Sequence, residues 1–172
     1  MKKRDASPGR NSVLILIYVL TGLGTVLWMS GIFLAPYVAS QGSPLRSVAY
    51  AVYSNVCHQI PARSFQAFGQ PLAVCARCLG IYAGFLFGVG LYPFVWGFRR
   101  LSLPETKVFV FISLPVALDT ASNFLGLWGS PNGLRFTTGL LWGAILPFYF
   151  ITGLADLVLT LKYRLKSKKS SP

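Results

Sequence analysis

Four stretches of this chain are too long and too poor in charge to be ordinary core segments. Asn11 to Leu45 carries no charged residue, Leu79 to Phe98 carries none, Val108 to Leu134 carries only Asp119, and Phe136 to Leu161 carries only Asp156. A helix needs about 20 apolar residues to cross about 30 Å of hydrocarbon. The runs therefore predict four transmembrane helices, near residues 12–35, 77–97, 108–128 and 136–160. The fold class that follows is an all-α integral membrane protein, with residues 1–172 as a single membrane domain. Charged residues make up 12% of the chain against 53% apolar, where soluble domains carry about 25% charge. The first run is far longer than the roughly 7–15-residue apolar core of a signal peptide, and bulky Tyr37 stands where cleavage before Ser40 wants a small residue. It reads as a membrane helix.

A net charge of +12 raises the question of nucleic acid, and the placement of the basic residues answers it. Lys2, Lys3, Arg4 and Arg10 precede the first helix, Arg99, Arg100 and Lys107 lie between the second and third, and Lys162, Arg164, Lys166, Lys168 and Lys169 follow the fourth. On a four-helix path these all fall on one side, and only Arg46, Arg63, Arg77 and Arg135 fall on the other. The positive-inside bias then predicts that both termini are cytoplasmic and that the protein sits in the cell (plasma) membrane. The basic excess is an orientation signal with affinity for anionic lipid, and no nucleic-acid partner is expected. The polar ends, "MKKRDASPGR" and "KSKKSSP", read as loosely ordered tails.

One long extracytoplasmic loop, residues 36–76, remains. "LRSVAYAVYSNVCHQ" is apolar enough for a short interfacial or re-entrant helix, and "SFQAFGQPLAVC" reads as two extended segments about a turn at Gly69-Gln70-Pro71. Such a hairpin carries Cys57 and His58 towards Cys75 and Cys78, which together are all the cysteines and the only histidine of the chain. Cys75 and Cys78 fall three residues apart in the first helical turn, where the helix dipole and Arg77 favour thiolate over thiol. Cys57, His58, Cys75 and Cys78 make a Cys3His set suited to Zn2+. Residues adjacent in sequence seldom both reach one ion, so a set of three protein ligands with an open fourth position is the other arrangement. Arg77 would then favour an anionic ligand there.

Within the spans, Gly80, Gly84 and Gly88, and again Gly139 and Gly143, repeat every four residues. This spacing lets helix backbones approach closely in lipid. Asp119, 11 residues after Val108, is expected about 16 Å deep, near the midplane. There it must face the bundle interior, paired or protonated. Asn123 lies one turn further along the same face, with Ser122 beside it. Arg135 has two expected partners, Asp119 or lipid headgroups. Asp119, Asn123, Asn132 and Arg135 are the expected lining of a polar cavity, and Asp119, Arg77 and Arg135 the candidates for any catalytic role.

The ordered motifs Cys57-His58-Gln59, Arg63-Ser64-Phe65, Cys75-Ala76-Arg77-Cys78, Gly80-Ile81-Tyr82-Ala83-Gly84, Asp119 and Asn132-Gly133-Leu134-Arg135 resemble a family of small predicted multi-pass membrane proteins carrying a domain of unknown function. The resemblance implies a multi-pass fold and shared site residues, and it brings no activity. Three functional readings follow from the residues. The first is an outward-facing Cys/His metal site, with Zn2+ as cofactor, above a polar intramembrane cavity. The second is a thiol-disulfide oxidoreductase in which Cys75 and Cys78 pass two electrons and two protons to a quinone, with Cys57 as shuttle. The third is a binder or transporter of an anionic lipid that uses Arg77 and Arg135. No Ser-His-Asp set, phosphate loop or zincin motif is present, which disfavours a soluble type of enzyme.

Overall fold

The computed structural model describes residues 8–98 and 103–169, and among these there are five α-helices and one small hairpin. Helix α1 spans Pro8–Ser40, α2 Arg46–Ser54, α3 Ala76–Val95, α4 Thr106–Phe124 and α5 Asn132–Lys169. Strands β1 (Gln66–Ala67) and β2 (Gln70–Pro71) form the antiparallel hairpin. Helices α1, α3, α4 and α5 are each long and apolar enough to cross a membrane, in agreement with the four charge-poor runs. The basic residues at 2–4 and 99–100 that enter the orientation argument lie outside the described residues.

Several boundaries differ from expectation for identifiable reasons. The tails expected to be loose are partly helical, because α1 already begins at Pro8 and α5 continues to Lys169. Proline at the first helical position costs no hydrogen bond. Pro36, expected to end α1, is fully buried and the helix runs through it to Ser40. Each of the other long helices also contains one proline, Pro93, Pro115 and Pro147. At the other extreme, α4 stops at Phe124, four residues before the expected 128, because Gly126 adopts φ +69°. The amide of Leu127 then donates to Ser122 O (3.1 Å) and that of Gly126 to Asn123 O (3.4 Å), the glycine-dependent C-terminal motif that satisfies the last carbonyls.

The centre of the fold is the α3–α5 pair, which run parallel. Gly80, Gly84 and Gly88 face the carbonyls of Phe136, Leu140 and Ala144, so closely that an added Cβ would stand 2.2 Å from each oxygen. Gly139 and Gly143 reciprocate against the carbonyls of Arg77 and Ile81, at 2.5 and 2.1 Å. No other residue type leaves room for this approach, which replaces the missing hydrophobic drive between helices in lipid. Helix α1 runs antiparallel to α3. One apolar cluster, with Leu14, Tyr92, Phe148 and Ile151, fills the end near the termini, and a second, with Ile32, Tyr53, Cys57, Val74 and Leu79, fills the end that carries residues 41–75. The first is hereafter the tail end and the second the loop end. Helix α2 folds back along α1, where the Tyr53 hydroxyl donates to Trp28 O (2.8 Å).

Candidate functional site

The loop is held against the helices by its own polar side chains. Gln59, at φ +51°, donates through Nε2 to Tyr50 O (2.7 Å) and Ala73 O (2.9 Å), tying α2 to the segment before α3. The Tyr50 hydroxyl donates to Pro71 O (2.5 Å). The hairpin turns at Phe68 and Gly69, φ +54° and +71°, while Gln70 and Pro71 belong to β2. Two successive positive φ angles suit a tight two-residue hairpin, so the turn lies earlier than Gly69-Gln70-Pro71 suggests.

This arrangement brings the cysteines together. The sulfurs of Cys57, Cys75 and Cys78 all lie within 4.8 Å of one another. Cys75 occupies the position just before α3 in extended conformation, and its amide donates to Cys57 Sγ at 3.1 Å. Cys57 is 7% exposed. Hydrogen bonds from the Cys75 and Cys78 thiols, then from backbone amides, hold the Cys57 thiol well below the ordinary cysteine range despite its burial. His58 does not join the group: it is exposed and outside the thiol cluster. Cys57 closes the turn that follows α2, its amide donating to Tyr53 O (3.0 Å), with its side chain buried and that of His58 exposed.

Beside the thiols lies a second network, built mostly from side chains. Arg77 Nη2 forms an ion pair with Asp119 Oδ2, and the Ser130 hydroxyl donates to Asp119 Oδ1. Asn123 donates through Nδ2 to Asp119 Oδ1 (3.2 Å) and Ser130 Oγ (2.6 Å). Its Oδ1 accepts from Arg135 Nη2 at 2.8 Å. Arg135, 8% exposed, also donates to Asn132 Oδ1 (3.4 Å), and Asn132 donates to Ala62 O (3.4 Å) in the 3-10 turn Pro61–Arg63. Asp119 is therefore paired, with its side chain 6% exposed, but with Arg77, while Arg135 reaches Asp119 only through Asn123. Asp119 lies five residues from the end of α4 at Phe124, about 7.5 Å of helix. Asn123 joins Arg135 to Asp119 and Ser130, and Asn132 joins Arg135 to the Ala62 carbonyl. Sequence reasoning misses Ser130, whose only signal is a place just before the first turn of α5. A groove of about 600 Å³ opens on the other side of Arg77, lined by Ile81 and Trp142 and by the Val116 to Phe124 face of α4.

Residues 57–149 match the family described as "Predicted membrane protein (DUF2085)". The chain belongs to this family. It is 39% identical over 140 residues, 78% of the chain and 90% of the relative, to an uncharacterised protein of Methanocaldococcus jannaschii. It is also 35% identical over 88 residues, 51% of the chain and 78% of the relative, to an uncharacterised protein of Methanothermobacter thermautotrophicus. No solved structure matches the chain significantly. The family match begins at Cys57 and covers the cysteine cluster and the whole polar network, and it leaves α1 outside.

Proposed function

We propose that Cys57, Cys75 and Cys78 form a metal site, selective for a soft-ligand ion such as Zn2+, on the outer face of the cell membrane. The observation that carries this reading is the convergence of three sulfurs from three separate positions within 4.8 Å. Tetrahedral zinc-thiolate bonds of about 2.3 Å put sulfurs about 3.8 Å apart, a contraction that a loop and a helix terminus can supply. Three thiolates around Zn2+ leave a charge of −1, which the Arg77 and Arg135 guanidinium groups offset. With three protein ligands the fourth position is open, and a bound metal would there polarise a water or an anionic ligand. Outward orientation is supported by the split of basic residues between the two ends, with both termini cytoplasmic.

Zinc content and free thiols, measured together on detergent-purified protein, test the reading. One zinc per chain with three masked thiols is the expected result, lost in Cys57→Ser, Cys75→Ser and Cys78→Ser. Because ligation needs thiolates, zinc affinity should fall as pH falls. His58→Ala should leave zinc content unchanged, since the imidazole is outside the cluster. A second reading is favoured by the Cys75 amide on Cys57 Sγ, which stabilises a thiolate suited to exchange. In that reading two thiols become a disulfide as a quinone takes two electrons and two protons. Two oxidised cysteines and no metal would select it.

A further inference from the structure

Helix α4 is the least enclosed of the four long helices. It has no buried residue, and it leans on α5 through the Phe109 ring, which contacts Trp142 and Tyr149. Towards α3 it is joined at the loop end by the Arg77–Asp119 pair. Beside that pair lies the groove of about 600 Å³, within the range of small-ligand sites. Its floor is Ile81 and Trp142, and its wall is Val116, Ala117, Thr120, Ala121 and Phe124. These five α4 residues share one face at helical spacing. Its lining residues belong to three of the four candidate membrane spans, so in a bilayer the groove would face lipid.

The loop end of the groove is electropositive. Arg77 lines it, and Arg63 and Arg77 both lie within electrostatic reach of Arg135. Asp119 and the Cys75 sulfur are the anionic groups acting on Arg135, so three arginines set against one carboxylate and one thiolate, or against one carboxylate and a zinc-trithiolate centre of charge −1, leave a net charge of +1. An apolar channel in the lipid-facing wall, capped by excess positive charge where headgroups lie, complements an amphipathic anion with a long chain.

We propose that the α3–α4 groove binds one phospholipid with an anionic headgroup, an acyl chain lying over Ile81, Ala117 and Trp142 and the phosphate at the Arg77 end. The proposal does not depend on a metal at the cysteines.

The test uses full-length protein in mild detergent, offered phosphatidylglycerol or phosphatidylcholine and examined by native mass spectrometry. One positive charge in excess of its counter-charge predicts about fivefold greater retention of the anionic lipid. Ala117→Trp, which fills the groove and leaves every arginine in place, should abolish that preference without changing zinc content or melting temperature. Thr120→Phe, on the same exposed face, serves if Ala117→Trp does not fold. Equal retention of the two lipids would overturn the proposal. Undiminished phosphatidylglycerol in a folded groove-filling variant would overturn it too. So would displacement by inorganic phosphate at millimolar concentration, which would reassign the arginines to a free anion. Loss of zinc without loss of lipid would count against the cysteine reading alone.

Discussion

Helix α3 meets its two neighbours in opposite ways. Against α5 it packs backbone on backbone, with glycines on both helices beneath facing carbonyls. Against α4 it reaches across a groove with a single arginine side chain. In hydrocarbon neither contact is driven by water exclusion, so close packing must hold the first and charge the second. Arg77 takes part in both, since its carbonyl faces Gly139 while its guanidinium holds Asp119. The contrast separates a seam that tolerates no added atom from a clamp that tolerates exchange of polar groups.

The largest effect is expected from one methyl group in the seam. Gly84→Ala would place a Cβ 2.2 Å from Leu140 O and 2.9 Å from Ala144 N, both backbone atoms that move only if the helices separate. A loss on the order of 3 kcal/mol is expected, seen as a lowered melting temperature in detergent. Gly90→Ala, where an added Cβ meets nothing within 4 Å, is the control and should be silent. If both variants melt alike, the seam is not a close-packed contact.

Next in size is the clamp. Asp119→Leu removes the acceptor for Arg77 and Ser130 and should cost about 2 kcal/mol, the scale of a hydrogen bond to a charged group. Asp119→Asn keeps an acceptor for Ser130 and a polar partner for Asn123, so it should fold and insert normally with a smaller loss. Thermal unfolding orders the three proteins, and limited proteolysis within 125–131 reports whether α4 has come loose. Were Asp119→Leu as stable as the parent, the ion pair would be incidental to α4 attachment.

The two contacts are not equally legible in the sequence. Glycines at every fourth position mark the seam on their own, because small residues are the only means of close approach. Likewise the four charge-poor runs carry the spans, and the hairpin pattern carries the meeting of Cys57 with Cys75 and Cys78. The clamp is harder to read, in two respects. The end of its helix is placed four residues too late because the apolar run continues to Trp128, and that run masks Gly126 as a helix stop. Its partner is ambiguous because choosing Arg77 over Arg135 depends on how α4 is rotated about its axis, and an apolar helix with no buried face does not encode that rotation. His58 is misplaced for a simpler reason: of two adjacent side chains only one enters the cluster, and burial beside Tyr53 and Val74 selects the cysteine.

The smallest effect belongs to the other attachment of α4, which lies on α5 and contains no charge. The Trp142 indole donates from Nε1 to Ser113 Oγ at 2.9 Å, and the same ring meets Phe109 at a centroid distance of 6.4 Å. Ser113 already gives its proton to Phe109 O (2.7 Å), so the indole takes a lone pair that has no better use. Trp142→Phe removes the hydrogen bond and retains an aromatic ring. Interhelical hydrogen bonds in membranes contribute about 0.6 kcal/mol on average, because the separated helices find other partners. The expected shift in melting temperature is therefore small, and it should add to that of Asp119→Asn, since the two contacts share no side chain. A double-variant loss well above the sum of the single losses would mean that α4 docks as a unit, with its charged and aromatic attachments acting together.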